Sequence, residues 1–419
     1  MAQITETDTT IPPAAQFHPG VKFDPVAATN AYLATLPPAQ RAKSDAYFEG
    51  GYWIELWGFL ISAAIVLILL KTGLSKRMRD RGERVTKRRP LQTFLYWVQF
   101  SAVVYVLSYP WSLYTDYFRE HQYGLATQGF GGWMADEGKA FLLSIFLGGL
   151  AVVALYGVAR KFPRTWHIWG AVVGILFLII GSVIAPVFIT PIFNKVTPLT
   201  DARVRDPILS LARANGITAD NVYVIDASKQ SKRISANVSG LGKTMRITLN
   251  DNLLNRATLP QIQAVMGHEM GHYVLNHTYK LIMFFTIVIT LAFAFLKWGF
   301  GWAQARWGSG WGIRDIGDTA GLPLVILVMS VFFFVLGPMV KTYVRTGEAE
   351  ADMFGLNAAR QPDGFAQAAI KLSEYRKLDP GPLEEWVFYD HPSGRQRIFA
   401  CMRWKAEHQA DYTSSQILR

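Results

Sequence analysis

Apolar residues in this chain gather into long runs instead of recurring at the short period of a soluble core. No Asp, Glu, Lys or Arg interrupts Pro90–Thr115, Ala140–Ala159, Thr165–Asn194 or Thr319–Val340. Each run matches the roughly 20 residues a helix needs to cross a bilayer. Tyr52–Leu70 carries only Glu55, and Leu281–Leu296 is flanked by Lys280 and Lys297, whose long side chains can snorkel. Tyr52, Trp53, Trp57, Trp111, Tyr114, Trp298 and Trp302 mark run ends, as interfacial anchors do. Six spans are therefore expected.

Between and around the spans lie polar blocks. Residues 1–51 contain Pro12, Pro13, Pro25, Pro37 and Pro38, have no basic start followed by an apolar core, and read as a loop-like tail. Residues 52–190 hold four spans, and 191–280 mix helical pieces with strand-like Val222–Ile225 and Arg246–Leu249. A transmembrane hairpin occupies 281–342, and a helical block follows over 343–419. The expected fold is an all-α polytopic membrane protein with about six transmembrane helices and an α+β unit, which the motifs below mark as zincin-like and catalytic, assembled from two segments.

Composition agrees. Of 419 residues 51% are hydrophobic and only 17% charged, against roughly 25% charged in soluble proteins. A single cysteine, Cys401, excludes an internal disulfide and a cysteine-based metal cluster. The net charge of +11 has an address: nine basic residues fall in 71–89, a connection between spans that lacks interleaved aromatics. That pattern suits a membrane-flanking loop near lipid and argues against a nucleic-acid partner.

The chemistry starts at His268-Glu269-Met270-Gly271-His272. Thr258-Leu259-Pro260-Gln261 supplies a capping box with proline in the first turn, and Ile262, Val265 and Met266 continue an apolar stripe, so the motif sits on a helix. Four residues apart places both imidazoles on one face, about 6 Å apart along the axis. Two ring nitrogens can then converge on one zinc, with Glu269 beside its open position as a general base. A third ligand is needed. His277 lies five residues beyond His272, off the shared face, and Leu275 and Thr278 stand where an extended HExxHxxGxxH would need Gly and His. Crossing the membrane twice returns the chain to the same side at Arg345-Thr346-Gly347-Glu348-Ala349-Glu350-Ala351-Asp352. Glu348 as ligand with Asp352 behind a histidine is the economical assignment, though spacing alone leaves Glu350 open.

These features resemble the Ste24-type CAAX prenyl proteases, integral-membrane zinc metalloproteases of the M48 group. HExxH followed by Arg-x-x-Glu-x-x-Ala-Asp after a membrane hairpin carries the likeness. Ser239-Gly240-Leu241-Gly242-Lys243-Thr244, His391-Pro392-Ser393 with Arg397-Ile398, and Pro110-Trp111-Ser112-Leu113-Tyr114 extend it over about 50–415. The resemblance implies one catalytic Zn2+ on His268, His272 and Glu348, with Glu269 as base. It also implies Asp352 and Arg345 in supporting places, and His391 and Arg397 near the metal water or the substrate carbonyl. It further implies an edge strand at Ser235-Ala236-Asn237 that binds peptide backbone, although the family usually has Asn-Ala and an aromatic there. Its eukaryotic members have seven spans, and this chain lacks the first.

The expected activity is peptide hydrolysis, with a peptide or protein substrate that the family would have lipidated: removal of the last three residues of prenylated CAAX chains. A quality-control protease without prenyl specificity and a non-catalytic transporter or scaffold with structural zinc are the alternatives. The location is a bacterial inner membrane or an equivalent membrane such as the endoplasmic reticulum. The basic loops place the catalytic blocks outside the cytoplasm under the positive-inside rule, whereas the family is drawn with its metal facing the cytosol.

Overall fold

The computed structural model describes residues 10–18, 20–239 and 245–410, so most of the segment from Ser239 to Thr244 singled out above lies outside the described residues. Six helices in it are long and apolar enough to span a membrane: Pro38–Lys71, Arg89–Gln122, Phe130–Lys161, Trp166–Ile184, His277–Trp311 and Thr319–Ala359. At 1.5 Å per residue the longest of these exceed the roughly 30 Å of hydrocarbon by several turns. Their ends therefore project into the aqueous blocks and carry site residues there.

The N-terminal segment departs from the expected loop. Asp24 caps α1 (Pro25–Ala34), accepting from the Val26 and Ala27 amides, and Pro25 occupies the first turn. Pro37 and Pro38 then start α2 (Pro38–Lys71). The prolines read as loop signals instead stand where helices begin, because a missing N–H costs nothing in the first turn. α1 buries Ala28, Tyr32 and Leu33 in a core shared with Leu356, Phe365, Ile398 and Trp404, which ties the tail to the C-terminal block.

Five more elements complete the first half. They are α3 (Leu74–Val85), α4 (Arg89–Ser112, continued by a π-helical turn at Leu113–Phe118), α5 (Phe130–Lys161), α6 (Trp166–Ile184) and β1 (Val196–Pro198). Basic α3 caps the far end of the bundle, where Arg79 meets buried Asp318 at 2.6 Å. Within the spans Glu55 is paired with Lys341 at 2.7 Å, so the charge that compromised the first run has a partner.

α7 (Ala202–Ala214), β2 (Val222–Ile225), β3 (Ala236–Ser239), β4 (Arg246–Asn250), α8 (Asp251–Arg256) and α9 (Leu259–Val274) follow. The sheet order is β1-β2-β4-β3, with β2 and β4 parallel and the outer pairs antiparallel. α9 lays Ile262, Met266 and Met270 on this sheet against Ile208, Ile247, Leu249 and Leu253. Its start is the expected capping box of Thr258 and Gln261. The hairpin α10 (His277–Trp311) and α11 (Leu322–Ala359) leads to α12 (Pro362–Leu372), α13 (Pro382–Phe388) and α14 (Gly394–Glu407).

The crossing of α9 and α11 decides the site. Gly267 and Gly271 on α9 face Gly355 and Ala351 on α11. A Cβ on Gly355 would lie 2.7 Å from the His268 amide nitrogen, and one on Gly271 would lie 3.1 Å from Ala351 Cα. Only backbones without side chains between them approach so closely, and that approach brings Glu348 and Asp352 to the histidines.

Candidate metal centre

His268, His272 and Glu348 offer donor atoms that all lie within 4.8 Å of one another. His268 Nε2 is 3.1 Å from His272 Nε2 and 3.2 Å from Glu348 Oε2, and His272 Nε2 is 3.4 Å from Glu348 Oε1. Ligands about 2.0–2.1 Å from a tetrahedral zinc stand about 3.3 Å apart, so the triangle fits. Glu350, the other acid that spacing left open, points to His277 and Lys280 instead.

The chemistry of the donors also asks for a cation. His268 Nδ1 lies 2.7 Å from Asp352 Oδ1, which fixes the proton on that nitrogen and turns Nε2 toward the triangle. Glu348 Oε2 is buried with no aligned hydrogen bond, and its neighbours are ring nitrogens, His268 Nε2 at 3.2 Å and His391 Nε2 at 3.1 Å. Two imidazole nitrogens and a carboxylate oxygen converging in a buried place repel unless positive charge sits among them. Without metal a proton meets that demand: burial opposes it, but Asp352 and Glu348 push the His268 pKa up to about 9.

Around the triangle the remaining residues divide by what they touch. Asp352, 4% exposed, also accepts from Arg397 Nε at 2.8 Å and Nη2 at 2.5 Å. Arg397 is thus held on the carboxylate behind His268 and acts on the metal side through it. His391 Nε2 comes within 3.1 Å of Glu348 Oε2, while its Nδ1 meets Asp390 at 2.7 Å. Arg345 donates to the carbonyls of Glu385 and Tyr389 at 2.7 and 2.5 Å. It pins the segment that carries His391 onto α11, away from the His268, His272 and Glu348 triangle. Glu269 is partly buried, and desolvation raises its pKa against the lowering pull of the two imidazoles.

His268, Glu269, His391 and Arg397 line a cavity of about 210 Å³, together with Ser235, Ala236 and Arg376. β3 is the outer strand of the sheet. The Asn250 amide donates to the Ser235 carbonyl at 2.9 Å, making 235 and 250 a hydrogen-bonded pair. In an antiparallel ladder such pairs alternate, so with Ala236 opposite Leu249 the main-chain groups of Ala236 and Val238 face outward. Ser235 and Asn237 turn theirs toward β4.

Sequence reasoning set His277 aside and passed over Asp390 and Arg376. Asp390 was signalled by its place next to His391. Arg376 Nη2 lies 3.5 Å from His391 Nε2, and only the loop after α12 brings it there.

Comparison with known proteins places this geometry. Residues 198–405 match the model of peptidase family M48, and residues 28–195 match that of the CAAX prenyl protease N-terminal region, described as five membrane helices. An uncharacterized metalloprotease of Bacillus subtilis, YhfN, is 26% identical over 93% of this chain and 90% of its own. CAAX prenyl protease 1 of Saccharomyces cerevisiae is 28% identical, covering 72% of this chain and 70% of that one. The crystal structure of S. mikatae Ste24p shares the fold, with a TM-score of 0.72 at 24% identity over 91% of this chain and 92% of that chain. A His-His-Glu triangle on an HExxH helix, closed from a membrane hairpin, thus has the relatives its geometry calls for: the chain belongs to the Ste24-type integral-membrane metalloproteases of peptidase family M48.

Proposed function

We propose that the chain is a zinc endopeptidase that binds its substrate as an added strand on β3 and trims the C-termini of prenylated CAAX-type chains. The observation that carries the reading is the outward-facing main chain of Ala236, on the outer strand, in the same cleft as Glu269, His268 and His391. An extended peptide paired there lays a carbonyl across the metal position, and strand addition accepts many sequences because it reads backbone. Two imidazoles and one carboxylate with an open fourth position are the ligand set of a catalytic zinc. Zinc supplies Lewis acidity to the carbonyl and to a water at that position.

The protein does the rest. Glu269, within the cleft, takes the water proton and returns it to the leaving amine nitrogen. His391 presents Nε2 beside the triangle with Nδ1 donating to Asp390, and in its doubly protonated form the Nε2–H can meet the oxygen that gains charge as water adds. Arg397 holds Asp352, and Asp352 holds His268. The prenyl substrate comes from the name of the yeast relative, CAAX prenyl protease 1, and from its homologue in Arabidopsis thaliana, 28% identical over 70% of this chain.

The test uses purified full-length protein with farnesylated and unfarnesylated versions of one CAAX peptide. Wild type should release the C-terminal tripeptide from the farnesylated form, and Glu269→Ala should keep its zinc and lose cleavage. Equal turnover of both peptides would replace the prenyl reading with a general membrane quality-control protease. Cleavage by Glu269→Ala at the wild-type rate would refute the mechanism.

A further inference from the structure

HExxH supplies two histidine ligands, and each needs its Nδ1 proton held so that Nε2 can face the metal. Asp352 does this for His268. We infer that His277, backed by Glu350 and Lys280, is the positioning relay that does it for His272, so that metal retention depends on the membrane hairpin. The inference rests on His272 being a metal ligand and is independent of what the enzyme cleaves.

His272 Nδ1 lies 2.8 Å from His277 Nδ1, and His277 Nε2 lies 3.0 Å from Glu350 Oε2. Lys280 Nζ meets the same Glu350 oxygen at 2.7 Å. An ionised carboxylate only accepts, so His277 carries its proton on Nε2 and its Nδ1 offers a lone pair. His272 must then donate from Nδ1, which leaves its Nε2 lone pair directed at His268 and Glu348. The chain of contacts sets the tautomer that metal binding requires.

The sequence hides this because His277 is off the face of α9. That helix ends at Val274, and Asn276 adopts a left-handed conformation with φ 58°, one that asparagine tolerates better than most residues. The turn starts α10 with His277 folded back beneath His272, where it is 4% exposed. A role as another metal ligand does not fit, since both its ring nitrogens are engaged and the one near His272 faces Nδ1, not Nε2. His277 and Lys280 belong to the fifth span and Glu350 to the sixth. The relay therefore joins both arms of the hairpin to one ligand, and a shift of either arm moves His272.

The experiment measures the zinc Kd of purified full-length protein by competition with a chromophoric chelator, alongside the Tm of the metal-free form. His277→Phe, which keeps the bulk, should weaken zinc binding by about 10- to 100-fold, the range found when such outer partners are lost. His277→Gln retains an acceptor for His272 and a donor for Glu350, and should recover affinity to within about threefold of wild type on the same scale. Glu350→Ala, at a half-exposed side chain, should weaken binding without lowering the metal-free Tm, so the test survives if His277→Phe fails to fold. Wild-type zinc affinity in either His277→Phe or Glu350→Ala, or an equal loss in the Phe and Gln variants, overturns the relay. Failure to cleave prenylated peptides would leave these affinities unchanged and would count against the proposed substrate alone.

Discussion

Asp352→Leu should separate what the buried carboxylate does for the fold from what it does for the metal. The side chain is 4% exposed and answers three donors, His268 Nδ1 at 2.7 Å and Arg397 at 2.8 and 2.5 Å. Removing it strands the Arg397 guanidinium, itself 8% exposed, without a carboxylate. Breaking one side of a buried pair costs about 3–5 kcal/mol, because the remaining charge stays desolvated. Replacing both partners with apolar residues of like volume removes that penalty, so Asp352→Leu with Arg397→Met should return to within about 2 kcal/mol of wild type. Zinc affinity should not return with stability. In both variants His268 Nδ1 has lost its acceptor, which corresponds to about 10- to 100-fold in Kd. Denaturant titration of metal-free protein in detergent gives the first quantity, and chelator competition gives the second. A single variant as stable as wild type, or a double variant that regains full zinc affinity, would refute the assignment of Asp352 and Arg397 as one unit acting through His268.

Other outcomes follow from the same geometry. Gly355→Ala should destabilise the protein and weaken zinc binding together, since the new methyl would meet the His268 amide nitrogen at 2.7 Å, and a control at Gly51, where a Cβ meets nothing within 4 Å, should do neither. Zinc binding should release protons: His268 holds one up to a pKa of about 9 in the metal-free site, so zinc must displace it below that pH. Affinity should accordingly fall as the solution is acidified from about pH 9, read by calorimetry in buffers of different ionisation enthalpy. Ser393→Ala should cost about 1 kcal/mol through loss of the α14 cap, whose hydroxyl accepts from the Gln396 amide at 3.4 Å, and should leave zinc affinity unchanged. N-methylation of the substrate amide that meets the Ala236 carbonyl should raise KM about tenfold with little change in kcat, the signature of lost ground-state pairing.

What the sequence made legible was whatever depends on period and spacing within one element. The spans, the capped HExxH helix and the strands near Val222 and Arg246 are of that kind, and all are present. Glu348 and Glu350 are two residues apart on one helix, and spacing could not choose between them. The choice is made by α11 crossing α9 at Gly355, which turns Glu348 to the histidines and leaves Glu350 against the start of α10. Arg345 illustrates the same limit. Its place in the motif suggests service to the metal, yet it donates to the Glu385 and Tyr389 carbonyls and so positions His391 from a distance.

The helix in the N-terminal segment and the contact of His277 with His272 lay outside what the sequence pattern showed, for a shared physical reason. The prolines read as loop and His277 as off the shared face, and both lie at helix boundaries. What one element's pattern does not contain is the next helix that starts there. Pro38 opens the first span, and Asn276 reverses the chain into the fifth. At these junctions the membrane helices reach the catalytic block: Tyr52 of the first span donates to Glu384 at 2.7 Å, and Lys280 of the fifth holds Glu350. The spans thus do more than anchor a protease. Their ends carry Glu348 and Asp352 to His268 and brace His272 and the segment bearing His391, so the groups around the HExxH helix come from the spans as much as from the polar blocks.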